Sequence, residues 1–249
     1  MSNQFYVAGP GRAAKVGDLF GAIANRYDLA NDLQSLGLHR LWKRRLARLA
    51  GVGPGDRALD VCCGTGDVAL ALARHGATVV GVDFSAPMLA IAAQRTETLA
   101  LRAASTPSAF PRPQWLLVCG DALRLPFPDD TFDAVTISYG LRNLASPEAG
   151  LREMRRTARP GGRILVLDFG RPANPLWRRL CFGYLRRWVP CLGRLVAGSG
   201  EAYAYILESL ADYPAQEGVT ALIRELGLAH VQVINLLGGA MSINCGKKV

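Results

Sequence analysis

Lysine is scarce in this 249-residue chain. It stands only at positions 15, 43, 247 and 248, so the excess of 29 basic over 20 acidic residues is carried by arginine. A formal charge of +9 points to an anionic partner: nucleic acid, an acidic substrate or a membrane face. Histidine is scarcer still, with three residues, and the six cysteines contain no Cys-x-x-Cys pair. That argues against a metal site and against a disulfide framework, and it suits a reducing compartment. The first fifteen residues hold no apolar run, so no secretory leader is expected. The longest charge-free stretch, 226–246, carries His230, Gln232, Asn235, Ser242, Asn244 and a Gly238-Gly239 break, which reads as two strands joined by a turn, not as a membrane span. Half the residues are hydrophobic and the mean hydropathy is +0.14, too apolar for a disordered chain. The length suits one α/β domain with additions.

From residue 56 the pattern alternates strand and helix. Strands are expected at 57–62, 78–82, 115–119, 132–138 and 163–169, the last after a Pro160-Gly161-Gly162 turn, with helices at 68–74, 87–102 and 147–158. The Pro/Ser/Ala-rich stretch 103–113 reads as a mobile surface loop. Successive β-α units predict a doubly wound, mostly parallel sheet covered by helices on both faces. The expected division is a helical N-terminal arm (1–55), a cofactor-binding core (56–170), a basic helical insertion (171–212) and a C-terminal helix with strands (213–249), all in one domain.

In such a sheet, ligands sit beyond the carboxyl ends of the strands. The first strand ends at Gly64-Thr65-Gly66-Asp67, a tight turn into a helix N-terminus. Ala69 stands where a dinucleotide fingerprint has its third glycine, and Asp67 would repel a pyrophosphate there, which favours a cationic or zwitterionic ligand. Asp83 ends the second strand, 17 residues after Gly66, placed to accept both hydroxyls of a ribose. After the third strand, Asp121 and the Ala122 amide suit an exocyclic amine and a ring nitrogen of adenine; the fourth ends at Ser138-Tyr139-Gly140. The constellation resembles the class I S-adenosylmethionine-dependent methyltransferases, with a seven-stranded Rossmann-like sheet. Gly64, Thr65, Gly66, Asp83, Asp121, Ala122 and Ser138 are the expected cofactor residues, and no metal is expected.

Longer stretches narrow the resemblance. Tyr27-Asp28-Leu-Ala-Asn31-Asp32-Leu-Gln-Ser35-Leu-Gly37-Leu-His39-Arg40-Leu-Trp42 and Ser138-Tyr-Gly-Leu-Arg142-Asn143 look like signatures of the UbiE/MenG family of quinone C-methyltransferases. Leu167-Asp168-Phe-Gly-Arg-Pro172 and Glu201-Ala-Tyr203-Ala-Tyr205-Ile-Leu-Glu-Ser209 match as well. The chain departs from the family pattern at Ala30, at Gln34 and at Asp168-Phe-Gly. The resemblance implies C-methylation of a polyprenylated quinol, with a naphthoquinol of menaquinone synthesis favoured over a ubiquinone-pathway benzoquinol or a plastid-type naphthoquinol. It implies catalytic roles for Arg142, as phenolate stabiliser, and Asn143, as orienter of a hydroxyl or water, and substrate contacts from Tyr27, Tyr139 and Tyr203. Asp67, His39, Tyr139 and an arginine-held water stay open as general base. Cys62 and Cys63 read as small core residues.

The insertion from 171 to 200 holds six arginines and no acid. On a helix, Trp177, Leu180, Cys181, Tyr184, Leu185 and Trp188 share one side, with Arg178, Arg179, Arg186 and Arg187 opposite. Such a helix either packs on the core with a solvated face or lies on anionic lipid. The expected partners are thus the quinol and an anionic membrane surface on the cytoplasmic side, with a second copy of the chain a further candidate. The rival classes are a nucleic-acid methyltransferase and a non-catalytic scaffold. Against the first, no Asn/Asp-Pro-Pro-aromatic motif occurs, and the arginines alternate with bulky apolar residues.

Overall fold

A computed structural model describes residues 21, 24, 26–104, 115–197, 209–210 and 213–249. Helical backbone at 26–35 runs through Leu36 and Gly37, both at left-handed φ, into α1 (Leu38–Ala50). The core follows as β1 (Arg57–Val61), α2 (Asp67–Ala73), β2 (Thr78–Asp83), α3 (Ala86–Ala104), β3 (Trp115–Cys119), β4 (Phe132–Ser138), α4 (Pro147–Thr157) and β5 (Ala158–Phe169). Helix α5 (Pro175–Ala197) leads on to α6 (Ala215–Glu225), β6 (Ala229–Leu236) and β7 (Met241–Lys247). The 226–246 stretch is thus a hairpin, turned at Gly238 and Gly239 with φ 62° and 89°.

The strands form one seven-stranded sheet in the order β3-β2-β1-β4-β5-β7-β6, in which only β7 runs antiparallel to its neighbours. Successive strand residues point to opposite faces, and β5 illustrates how both are filled. Ile164 and Val166 pack with Leu151 and Met154 of α4 and with Val219 and Ile223 of α6. Leu165 and Leu167 pack with Leu46 of α1 and Leu72 of α2. Burial on both faces explains why β5 carries the unbroken apolar run Ile164–Leu167 and does not alternate, the habit of parallel sheets.

Two boundaries differ from the sequence-based expectation by more than one residue. Residues 103 and 104 continue α3, and 105–113 lie outside the described residues. The Pro160-Gly161-Gly162 turn does not precede β5 but is absorbed as an irregularity within it. The pairing jumps from Phe132↔Ala158 to Ala134↔Arg163, and the backbone groups exposed there find partners: Gly161 N–H donates to the Lys248 carbonyl and Lys248 N–H to that of Gly162.

Sheet order places the crossover between β1 and β4, the point where ligands gather in doubly wound sheets. There the β1–α2 loop is sharply contorted. Cys62, Gly64 and Gly66 all have positive φ, and Gly66 N–H donates back to the Cys63 carbonyl. A Cβ on Gly66 would meet the Trp115 ring at 2.9 Å and Ala92 at 3.2 Å, whereas one on Gly64 would meet nothing within 4 Å. The left-handed conformation alone costs a non-glycine residue roughly 1–2 kcal/mol. Gly66→Ala is therefore expected to destabilise the protein in urea by more than Gly64→Ala, about 2 kcal/mol or more against about 1. Equal losses would show that Trp115 does not hold this loop.

Candidate active site

A cleft opens at the tips of β1, β2, β3 and β4, lined by Gly64, Asp83, Asp121, Ala122 and Ser138 among others. Asp83 is pinned: Oδ2 accepts the Gly64 N–H at 2.7 Å and Oδ1 the Ser85 N–H at 2.8 Å. Burial nonetheless raises its pKa above the usual carboxylate value, and a carboxylate with two acceptor bonds in place still has lone pairs for further donors. Asp121 Oδ1 accepts the Leu123 N–H at 2.9 Å. Among the described residues no arginine, lysine or histidine lines this cleft. Two carboxylates without a cation repel a pyrophosphate and suit hydroxyl donors and a positive charge.

Across a shared wall lies a chamber of about 560 Å³, mostly apolar, between the N-terminal arm, the β4 and β5 ends and α5. Tyr27 and Tyr139 line both cavities. Tyr139 holds a left-handed φ of 59°, uncommon for a side chain of its size, and its carbonyl accepts from Arg142 Nη1 at 2.6 Å and from Asn143 Nδ2 at 3.2 Å. Arg142 is buried and also donates to Asp168 Oδ1 at 2.8 Å. Asp168 accepts the Arg142 and Phe169 backbone N–H groups as well.

A family model described as the ubiE/COQ5 methyltransferase family matches residues 10–248. The chain belongs to that family. It is an S-adenosylmethionine-dependent methyltransferase. A demethylmenaquinone methyltransferase of Beutenbergia cavernae is 42% identical over 234 residues, covering 94% of this chain and 91% of the relative. One of Mycobacterium tuberculosis is 41% identical over 233 residues, covering 94% and 92%. Among solved structures, magnesium protoporphyrin IX methyltransferase of Synechocystis superposes with a TM-score of 0.64 at 17% identity, covering 95% of this chain and 99% of that one. A SAM-dependent methyltransferase of Thermotoga maritima gives 0.62 at 19%, covering 94% and 100%. Those likenesses concern the fold.

Other residues of the methyltransferase fall differently from the sequence-based expectation. Thr65 and Gly66 do not line the cleft. Thr65 is buried and donates to Asp28 Oδ1 at 3.0 Å, so it ties the loop to the N-terminal arm, and Gly66 serves the turn. Asp67 is not a lone charge that would repel phosphate: Lys43 lies 2.9 Å and Arg95 3.0 Å from its oxygens. Burial opposes its charge, but those cations outweigh it and hold its pKa low, which leaves a poor base. Tyr203 lies outside the described residues. Cys62 touches the cleft and Cys63 is buried; burial and the neighbouring carboxylates push both thiols well up, so neither is a nucleophile. Among the described residues no group of histidines, cysteines and acids could hold a metal ion.

The stripe of helix α5 turns to the chamber, and Leu185 also packs against the core. Trp177, Leu180, Cys181, Tyr184 and Leu185 line the chamber, tied by Trp177 Nε1 to the Leu237 carbonyl at 2.9 Å and by the Tyr184 hydroxyl to that of Gln34 at 3.0 Å. Leu180 and Trp188 stay 56% and 60% exposed. Trp42 and Phe169, also in the chamber wall, went unnoticed in the sequence; the only trace was their place within matched stretches.

Asp60 lies beneath the cleft, fully buried, accepting from Thr136 Oγ1 at 2.8 Å and from the Ala69 N–H at 3.1 Å. Burial raises its pKa from 3.8 to about 7 against those hydrogen bonds. An acid with a raised pKa binds its proton more tightly folded than unfolded. Its contribution to stability is therefore full below about pH 4 and lost as pH climbs to about 7. Wild type is expected to lose stability relative to Asp60→Asn across that window, by up to about 1.4 kcal/mol per pH unit, in urea unfolding at several pH values. A pH-independent difference would mean that Asp60 titrates normally.

Proposed function

We propose that this methyltransferase moves the methyl group of S-adenosylmethionine to a ring carbon of demethylmenaquinol, late in menaquinone synthesis. One observation carries the reading: an acidic cleft, without a cation among the described residues, meets a large apolar chamber at Tyr27 and Tyr139. The curated relatives named demethylmenaquinone methyltransferase, 41–42% identical over 94% of the chain, support the choice of ring.

Asp83 would hold the ribose hydroxyls, Asp121 and the Ala122 amide the adenine, and Gly64 leaves open space where a Cβ would otherwise project. Ser138 completes that wall. The cofactor supplies an electrophilic methyl group on a sulfonium. The chain's own task is to align the ring carbon and to favour loss of the neighbouring phenolic proton, which makes that carbon nucleophilic. As the methyl bonds, that carbon sheds its hydrogen as a proton and the ring regains its aromaticity. Tyr27 and Tyr139, at the junction of the two cavities, would contact the ring, and Tyr203 is carried as a substrate residue by the family resemblance alone. Arg142 and Asn143 serve first as positioning residues through the Tyr139 carbonyl. The Arg142 guanidinium also faces the chamber, where its charge favours the phenolate.

Incubating the purified protein with S-adenosylmethionine and a short-tailed demethylnaphthoquinol should yield the ring-methylated product by mass spectrometry. Asp83→Ala should weaken cofactor binding by about 1.5–3 kcal/mol in calorimetry. Methylation of a benzoquinol alone, or of neither, would overturn the substrate.

We further infer that the enzyme works docked on anionic lipid. Among the described residues no helix is long and apolar enough to cross a membrane. Yet Leu36, Leu180 and Leu237 line the chamber while 83%, 56% and 47% exposed, so the chamber rim is apolar and open. Arg178, Arg179, Arg186 and Arg187 are exposed on α5 beside it. Each basic residue near an anionic surface contributes about 1 kcal/mol. Replacing the four by Gln should weaken binding to anionic liposomes and slow methylation of a long-tailed quinol there, leaving a short-tailed analogue nearly unaffected. Equal loss on both substrates would instead make α5 part of the catalytic wall.

A further inference from the structure

His39 lines the chamber and is 3% exposed, and its two ring nitrogens are in opposite situations. Nδ1 lies 2.8 Å from Ser35 Oγ, and Nε2 is buried with no hydrogen-bond partner among the described residues. The tautomer follows from the neighbouring contact. Ser35 Oγ sits 2.6 Å from the Asn31 carbonyl oxygen, and two oxygens that close require a hydrogen between them. A carbonyl has none, so the single hydroxyl hydrogen of Ser35 lies there. The hydroxyl can then only accept, from the His39 backbone N–H at 3.2 Å and from Nδ1–H. Nδ1 therefore carries the ring proton, and Nε2 is a bare acceptor.

A buried acceptor without a donor costs about 1–3 kcal/mol, and because His39 lines the chamber, a ligand that shifts the side chains now covering Nε2 can supply the donor. Resting on the quinol reading above, we propose that His39 reads the oxidation state of the ring: Nε2 accepts a hydrogen bond from a quinol hydroxyl and repels the carbonyl oxygen of the corresponding quinone. Only the reduced ring has a phenolic proton to lose and the electron density to attack a methyl group, so an oxidised ring in the chamber is a dead-end occupant. The surroundings keep Nε2 an acceptor. Burial and the Lys43 charge outweigh Asp32 and Asp67 and bring the imidazole pKa down to about 4, so the ring is neutral near pH 7. Asp32 stands 3.7 Å from Nδ1, on the far side from Nε2.

Two measurements test this. Nitrogen NMR of the histidine-labelled protein should show His39 with its proton on Nδ1 and Nε2 unprotonated, assigned by loss of the signal in His39→Gln. Anaerobic calorimetry with S-adenosylhomocysteine present should give wild type at least about tenfold preference for a short-tailed demethylnaphthoquinol over its quinone. Ser35→Ala frees both tautomers and should cut that preference to within about threefold. His39→Gln, whose amide can donate, should abolish it. Protonated Nε2, equal wild-type affinities, or a preference unchanged in both variants would overturn the proposal. If a variant fails to fold, the wild-type spectrum and affinity ratio decide alone. Wild type that methylates no naphthoquinol would overturn the substrate reading and this proposal with it, whereas methylation without discrimination would overturn the proposal only.

Discussion

The buried contact between Arg142 and Asp168 governs the geometry of both cavities. Arg142 lies just beyond the β4 end and Asp168 on β5, so the ion pair ties two neighbouring strand tips in a place where either charge alone would cost several kcal/mol. Every partner is built in: Asp168 takes two backbone N–H groups beside the guanidinium, which in turn holds the Tyr139 carbonyl. A non-glycine residue at left-handed φ stores roughly 1–3 kcal/mol and persists only where its surroundings over-determine it. Tyr139 meets that condition through the donors of Arg142 and Asn143 and the bond from its own N–H to the Leu167 carbonyl. Its ring, stacked edgewise on Phe169 with centroids 6.2 Å apart, stands between the acidic cleft and the apolar chamber.

A second charge network seats the N-terminal arm on the cofactor loop. Asp28 of the arm pairs with Arg95 of α3 and accepts from Thr65; Lys43 of α1 pairs with Asp67, which Arg95 also reaches. Two carboxylates and two cations balance, so the arm closes over the β1–α2 loop without leaving an uncompensated charge. Lys43 also lies 5.9 Å from the centre of the Tyr139 ring. The arm that lines the chamber is therefore positioned by the same loop that shapes the cleft.

The arginine excess divides into two uses. Arg142, Arg95 and Arg156 each hold several oxygens at once, a task for a planar fork of donors that an ammonium cannot match. Arg178, Arg179, Arg186 and Arg187 of α5 instead stand exposed beside an apolar rim. The basic balance of the chain is accordingly not one surface property but an interior and an exterior one.

Strand and helix limits, the turn glycines and the order of carboxylates at successive strand tips were legible in the chain itself, because periodicity and backbone conformation are set within a few residues. Asp83, Asp121 and Ala122 could be placed on that basis, and the structure brings them to one cleft. Arg142, Asn143 and His39 were legible as candidates, but not their state. A guanidinium already paired with Asp168, or an imidazole whose tautomer follows from the hydroxyl of Ser35, depends on which side chain the packing sets beside it. The partners of Thr65, Asp67 and the α5 stripe were not legible for the same reason. Each turns toward a partner 24 to 150 residues away, and only sheet order and helix seating decide which partner that is.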